Sequence, residues 1–149
     1  MLIYLDTCCF CRAFDDQRQH RILLEKIAIA MIIERIEDGE FQFVASKILL
    51  FETERNQNLF AQKSILKFLE KTPLIDLNSD VIQLAHDIEQ INIAPIDALH
   101  LACAIYAKAD VFLTVDDGLL KKADSIRGAC GLSVENPVIW MQKSFGGER

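Results

Sequence analysis

Leu2-Ile3-Tyr4-Leu5-Asp6-Thr7 is the stretch of sequence that predicts the fold. Its first four residues are apolar, with a β-branched and an aromatic member, which is typical of a short strand buried on both faces. An unpaired acid has no structural use at the end of such a strand, because a buried charge is costly to desolvate. Ligands of open α/β sheets bind just beyond the carboxyl ends of the strands. Asp6 is therefore a candidate for the functional site, although an acid here can also start a turn or cap the next helix.

The composition indicates one globular domain. The chain has 149 residues, of which 51% are hydrophobic and only 6 are Gly and 3 Pro, so it can bury a core and is not a disordered chain. We predict a single domain over residues 1–143 and a disordered tail over residues 144–149. The longest apolar run, residues 27–33, is too short to span a membrane. No basic and apolar leader precedes the first strand, so we expect a cytoplasmic protein.

The net charge of −6 argues against a nucleic-acid coat protein, which would be basic. It does not exclude an enzyme that acts on nucleic acid, because acids that bind divalent cations reverse the local field. The five cysteines are odd in number, which indicates reduced thiols. Cys8 and Cys11 form a C-x-x-C pair, so a thiol redox protein is an alternative, although a single pair is a weak signal.

Strands and helices alternate along the chain, which predicts an α/β fold: a three-layer α/β/α sandwich with a mostly parallel central sheet. After the first strand, we predict strands over residues 42–45, 74–77, 111–114 and 138–140. Helices are predicted over residues 18–38, 47–71 (in two segments), 79–91 (capped by Ser79 or Asp80), 96–108 and 116–128.

Polar residues follow three of the predicted strands, and their carboxyl ends should share one edge of the sheet. Singly, each acid at this edge could be a helix cap or a partner of a helix dipole. Together, four carboxylates would repel one another unless hard cations such as Mg²⁺ or Mn²⁺ bound them. Two such ions would suit the hydrolysis of a phosphodiester. The residues concerned are Asp6, Ser46, Glu52, Asp97, Thr114 and Asp116.

In order and spacing, these motifs resemble the PIN domain over nearly the whole chain. They are most similar to the single-domain PIN ribonucleases that serve as toxins in bacterial and archaeal toxin–antitoxin pairs. The most specific part is the Asp-Ala-Leu-His-Leu-Ala run, followed by an acid nineteen residues after its Asp. The matching segments are Leu5-Asp6-Thr7, Ser46 with Glu52, Pro95-Ile96-Asp97-Ala98-Leu99-His100-Leu101-Ala102, and Thr114-Val115-Asp116.

The resemblance implies an Mg²⁺- or Mn²⁺-dependent endonuclease acting on RNA, with a homodimeric state and an antitoxin protein as partner. It makes Asp6 and Asp97 the central metal ligands, Glu52 the acid on a helix, and Asp116 the fourth acid. The alternatives for the last two roles are Glu54 and Asp117. Supporting positions are predicted for Thr7, Ser46, Thr114 and Asp117.

One position departs from the family pattern, since Cys8 stands where a small polar residue is usual. This removes a hydroxyl or amide beside the site but no ligand. Cys8 also argues against a phosphatase of the haloacid dehalogenase kind, which would need a second acid there. The remaining alternative is a PIN domain that binds RNA or organises a complex without cutting it.

Basic residues beside the segments of Asp6 and Glu52 are predicted to contact the substrate phosphates. A second surface is predicted on the helix over residues 18–38, where residues 27–33 are apolar in every direction. One stripe can face the sheet, and the opposite stripe would be free to form a twofold homodimer. The basic residues are Arg12, Lys47 and Arg55, together with Arg18 and Arg21.

Overall fold

The structure is a computed structural model, and it describes residues 1–145. Strands and helices alternate along this part of the chain. The strands are β1 (Leu2–Leu5), β2 (Gln42–Phe43), β3 (Ala45–Ser46), β4 (Leu74–Ile75), β5 (Val111–Leu113) and β6 (Val134–Glu135). The helices are α1 (Thr7–Cys11), α2 (His20–Glu37), α3 (Lys47–Glu54), α4 (Leu59–Leu69), α5 (Ser79–Glu89), α6 (Pro95–Tyr106), α7 (Asp117–Leu120), α8 (Ala123–Cys130) and α9 (Pro137–Phe145).

The central sheet has four parallel strands in the order β2-β1-β5-β6. Strand β1 lies inside it, with Tyr4 opposite Phe112 of β5. Side chains alternate along a strand, so the two faces of β1 contribute to different cores. Tyr4 packs in the core that includes α5, α6 and α8, whereas Ile3 and Leu5 pack in the core that includes α2, α4 and α9. The predicted three-layer α/β/α sandwich is confirmed.

The strand predicted over residues 42–45 is divided at Val44. Residues before it pair with β1, and Ala45 and Ser46 pair instead with β4 in a separate two-stranded parallel sheet. The backbone N–H of Val44 donates to the carbonyl of Ile3, and the next N–H donates to the carbonyl of Pro73. The chain therefore pairs with β1 up to Val44 and with β4 from Ala45 onward, and both pairings are parallel.

Most predicted helices are confirmed with small shifts of their ends. The cap of α5 was wrongly predicted: Asn78 precedes the helix, and its side chain accepts a hydrogen bond from the Val81 N–H at 2.9 Å. Asn, Ser and Asp are about equally good acceptors at the position before a helix. The capping preferences of these residue types therefore did not show which of the three caps α5. The helix predicted over residues 116–128 is two helices, α7 and α8, and Asp116 caps the first.

The strand predicted over residues 138–140 is wrong. Pro137 begins α9, and the Asn136 side chain accepts a hydrogen bond from the Val138 N–H at 2.8 Å. Proline suits the first turn of a helix, because no N–H is needed there. Trp140 is buried while Ile139 is exposed, as on one helix face. The last strand of the described chain is β6, just before this helix.

The predicted division into a domain over residues 1–143 and a tail over residues 144–149 stays a prediction. Helix α9 extends to Phe145, and residues 146–149 lie outside the described part of the chain. Within residues 1–145, none of the helices combines the length and the apolar character needed to cross a membrane.

Candidate functional site

Asp6 lies at the carboxyl end of β1, and the residue is only 6% exposed. One carboxylate oxygen, Oδ1, accepts a hydrogen bond from the Thr7 N–H at 2.8 Å, and the other accepts one from the Thr114 hydroxyl at 2.9 Å. The backbone N–H of Asp6 donates to the carbonyl of Leu113 on β5. The carboxylate is therefore fixed from both strands, at the edge of the sheet where the sequence predicted it.

Glu52 reaches the same place from α3. Its Oε1 accepts hydrogen bonds from the Thr7 hydroxyl at 2.7 Å and from Nε2 of His100 at 2.5 Å. Burial acts to raise the pKa of Glu52, but these two hydrogen bonds outweigh it and hold the pKa below its usual value. Glu54, the alternative on the same helix, is exposed, and no carboxylate contact with the other acids is found for it within residues 1–145.

His100 is a member of this cluster to which the sequence analysis gave no role. Its ring is buried, with Nδ1 at 2.7 Å from the Tyr4 hydroxyl, which lies 2.6 Å from the Ser46 hydroxyl. Every group is satisfied when Ser46 donates to Tyr4, Tyr4 donates to Nδ1, and Nε2–H donates to Glu52. The available signal was spacing: His100 lies one helical turn after Asp97, hence on the same face of α6.

Asp97 and Asp116 complete the group of four acids. Burial raises the pKa of Asp97, and the negative charges of Asp6 and Asp116 raise it further. Asp97 and Asp116 line a common cleft of about 330 Å³. A larger cavity of about 610 Å³, lined in part by Phe43 and Phe68, contains none of the four acids. Here the chemistry of the side chains, rather than the size of the cavity, identifies the site.

The donor atoms of this site suit a hard divalent cation. Carboxylate oxygens of Asp6 and Glu52 and a ring nitrogen of His100 lie within 4.8 Å of one another. Over residues 1–145, no Lys or Arg forms an ion pair with Asp6, Asp97 or Asp116, so their repulsion is uncompensated. Oxygen ligands are those preferred by Mg²⁺ and Mn²⁺. Because His100 already donates to Glu52, we take it as the group that orients a ligand rather than as a ligand.

Comparison with known families matches residues 3–125 to the PIN domain. The chain belongs to the PIN domain family. Similar solved structures include VapBC2 from Rickettsia felis bound to a DNA fragment from their promoter (TM-score 0.58) and FitAcB from Neisseria gonorrhoeae (TM-score 0.56). Each matched chain is 18% identical in sequence to this PIN domain, and each match covers 91% of this PIN domain. The matches cover 98% of the chain of the VapBC2 structure and 97% of the chain of the FitAcB structure. At this identity the likeness shows a shared fold, and no curated protein matches significantly.

Cys8 and Cys11 of this PIN domain are not joined by a disulfide bond. Cys8 and Cys11 lie on α1 as free thiols, and burial raises the pKa of Cys11, which opposes the thiolate that redox chemistry needs. The Cys8 thiol instead lies 3.3 Å from the Thr114 hydroxyl and 3.5 Å from Asp6. Cys8 thus occupies the position beside the acids where its family usually has a hydroxyl or an amide.

Several predicted supporting and basic residues of this PIN domain have other partners. Asp117 forms two hydrogen bonds with Arg21, at 2.7 and 2.8 Å, which hold the pKa of Asp117 below its usual value. Lys47 pairs with Asp76 at 2.5 Å. Ser46 caps α3, accepting from the Leu49 N–H at 3.2 Å. Asp117 therefore contacts α2. Of the two acids, Asp116 is the one that lines the same cleft as Asp97.

A buried ion network lies behind the site. Glu25 of α2 is 1% exposed and accepts hydrogen bonds from Arg12 at 2.9 Å, from Arg21 at 3.2 Å and from the Asn136 amide at 2.6 Å. Arg21 also donates to the Val115 carbonyl at 3.1 Å. The network thereby joins α2 to the loop that carries Asp116.

We expect Glu25→Ala to lower the free energy of unfolding by about 3 kcal/mol, because it removes the buried acceptor that Arg12, Arg21 and the Asn136 amide share. Urea denaturation followed by circular dichroism measures this change. Glu34→Ala, at an exposed position of the same helix, is the control and should change stability by less than about 0.5 kcal/mol. Equal stabilities of the two variants would contradict a stabilising role for the network.

Proposed function

We propose that this PIN domain is an endoribonuclease that hydrolyses RNA phosphodiester bonds with Mg²⁺ or Mn²⁺, held by Asp6, Glu52, Asp97 and Asp116. The observation that carries the proposal is the state of Asp97. Its pKa is raised by burial and by the charges of three acids, Asp6, Asp116 and Glu52, and no basic side chain within residues 1–145 is ion-paired to it. Such concentrated negative charge is a poor structural element and a good cation site.

The roles of the protein groups follow from their contacts. A bound divalent cation supplies Lewis acidity and a water of lowered pKa. Thr114 fixes the orientation of Asp6 by donating to it, and its hydroxyl accepts from the Asp116 N–H at 3.1 Å, so one side chain aligns two acids. His100 and Thr7 keep Glu52 ionised and hold its carboxylate beside that of Asp6. The site is organised before substrate binds, which lowers the reorganisation needed during reaction.

Cleavage of a mixed pool of cellular RNA by the purified protein tests this function. We expect cleavage in Mg²⁺ or Mn²⁺ and none in EDTA, with activity restored when the metal is returned. The alternative, a PIN domain that binds RNA or organises a complex without cutting, predicts retention of RNA on the protein but no fragments under any of these conditions. That result would refute the nuclease and favour the alternative.

We also propose that the protein is the toxin of a toxin–antitoxin pair and acts in the cytoplasm, with an antitoxin protein as its partner. Two observations support this. The sequence motifs resemble those of PIN toxins, and the similar structures include VapBC2, which is bound to a DNA fragment from their promoter. Co-expression with the product of an adjacent small reading frame should relieve growth arrest caused by this protein alone.

The homodimer is proposed on the exposed face of α2. Leu24, Ile27 and Met31 are 55%, 48% and 42% exposed and lie at helical spacing, so they form one apolar stripe. Ile29 is buried and belongs to the core. A stripe of this kind suits a self-complementary twofold contact.

We expect Ile27→Glu to give a soluble, folded monomer, because a charge would be buried in the self-contact but is solvated in the single chain. Sedimentation velocity at high micromolar concentration measures the change. Ile29→Glu is the matched variant on the inner face, and it should fail to fold. A wild-type chain that sediments as a monomer under these conditions would disprove the dimer.

A further inference from the structure

Two contacts of aromatic side chains lie on the segments that follow Asp6 and surround Glu52, one between two rings and one between a ring and a guanidinium. We call Phe14, Phe51, Arg55 and Phe60 the aromatic rim. Phe60 is 73% exposed and Phe51 is 44% exposed. The Phe14 and Phe60 rings meet edge to face, with centroids 5.8 Å apart. The Arg55 guanidinium lies over the Phe51 ring, 4.0 Å from its centroid. Large apolar side chains so exposed usually mark a binding surface.

The aromatic rim is built on the two segments that carry Asp6 and Glu52. Phe51 directly precedes Glu52 on α3. Phe14 ends the 3₁₀ turn (Arg12–Phe14) that continues α1, the helix capped by Asp6. The Asn56 amide approaches the Cys11 thiol at 3.7 Å, so the turn after α3 adjoins the end of α1. The two parts of the aromatic rim are therefore carried by neighbouring segments, the same segments that hold Asp6 and Glu52.

Arg55 differs from the other basic residues predicted to contact substrate. The other four form ion pairs with carboxylates. Within residues 1–145, Arg55 forms no such pair, and its contact is with the face of Phe51. A guanidinium on an aromatic face keeps its N–H groups free for phosphate oxygens and can also stack on a base.

We propose that the aromatic rim binds single-stranded RNA, with bases stacked on Phe51 and Phe60 and with Arg55 contacting the phosphate chain. This rests on the proposed ribonuclease function, since it names the form of RNA that the site accepts. Unpaired bases can stack on aromatic side chains, whereas the bases of a duplex are already stacked on one another. The guanidinium of Arg55 makes a phosphate chain a better ligand than an apolar protein surface. An apolar surface would remove water from the guanidinium without giving it a hydrogen-bond partner. The enzyme should therefore select unpaired segments.

Fluorescence anisotropy with a labelled single-stranded RNA of mixed sequence tests the proposal, in Mg²⁺ and in the Asp97→Asn background to separate binding from cleavage. We expect Phe60→Ala and Phe51→Ala each to weaken binding by about 5- to 100-fold. Phe60→Trp should retain binding, because it keeps a ring, whereas Phe60→Leu should not. Arg55→Ala should lower the slope of log affinity against log salt by about one.

Tyr106→Ala is the matched control, because Tyr106 is also 44% exposed but lies at the end of α6 opposite Asp97. It should bind RNA like the parent, and thermal melting should show that all variants fold. The proposal would be overturned if Phe60→Ala and Phe51→Ala bound RNA like the parent, or if they lost affinity for duplex and single-stranded RNA equally. Neither result would contradict the proposed nuclease function. Ring-dependent binding by a wild-type protein that cuts no RNA would instead refute the nuclease and uphold the aromatic rim.

Discussion

Replacing Asp97 by Asn is expected to reduce metal-dependent RNA cleavage by about 1,000-fold or more, because the amide cannot supply the charge that the cation requires. Asp6→Asn should have a similar effect. Initial rates of RNA cleavage across a range of Mg²⁺ concentrations measure the loss. Asp124→Asn is the control: Asp124 also lies in the first turn of a helix but is exposed and away from the acids. Full cleavage by purified Asp97→Asn would end the metal-ligand assignment.

The same substitution has an opposite effect on the stability of the metal-free protein. Since the folded-state pKa of Asp97 is raised, ionised Asp97 disfavours folding, and stability falls as pH rises from the ordinary Asp range through the folded pKa. In EDTA at neutral pH, Asp97→Asn should therefore melt higher than wild type, and the difference should vanish in acid. Added Mg²⁺ should raise the melting temperature of wild type more than that of the variant. A lower melting temperature in EDTA would contradict this account.

Replacing His100 by Ala should produce the second large effect, a loss of cleavage of about 10- to 100-fold, as for other groups that orient a metal ligand. It also removes one of the two hydrogen-bond partners of the buried Tyr4 hydroxyl and leaves Ser46 as the other, so stability should fall by about 1–3 kcal/mol. The informative readouts are kinetic. The Mg²⁺ concentration for half-maximal activity should rise. The acid limb of the pH–rate profile should move to higher pH, because the hydrogen bond that lowers the pKa of Glu52 is lost.

His86→Ala provides the comparison for that experiment, since His86 is exposed on α5 and its partner is Glu89. His100→Gln, which keeps an N–H donor, should recover part of the lost activity. If His100→Ala loses stability but keeps the wild-type Mg²⁺ dependence and pH profile, His100 has a structural role only.

Asp6 and Asp116 could be placed together from the sequence by one rule, that the carboxyl ends of parallel strands meet at one edge. Glu52 and Asp97 lie on helices, so their association with Asp6 came from the resemblance to the PIN domain. His100 could not be assigned a role in the same way. A His on an apolar helix is ordinarily a core residue, and its partners Tyr4 and Glu52 lie 96 and 48 positions away in sequence. Such contacts exist only after the layers have packed.

The wrong strand at residues 138–140 has a local cause. Three apolar residues after a proline are compatible with a strand or with the first turns of a helix. The backbone hydrogen bonds distinguish them, since the Trp140 N–H donates to the carbonyl of Asn136 four residues earlier. The basic residues illustrate a long-range cause. The sequence shows that Arg21 is near an acid on its own helix, but not that Asp117, 96 positions later, is its closest partner. The positions of basic residues in the sequence therefore overstated the basic surface available to RNA.

The interior position of β1 has a consequence for how the site survives fluctuations. The backbone N–H of Asp6 is bonded to β5, inside a sheet whose central side chains are fully buried. Amides in such positions exchange with deuterium only through global opening, whereas those of peripheral turns exchange through local fraying. Asp6 therefore belongs to the last unit of the protein to open, and the turn before Phe60 to an early one. On heating, the aromatic rim should therefore lose its structure before the four acids separate. The affinity for RNA should decline at a lower temperature than the rate of cleavage of bound RNA.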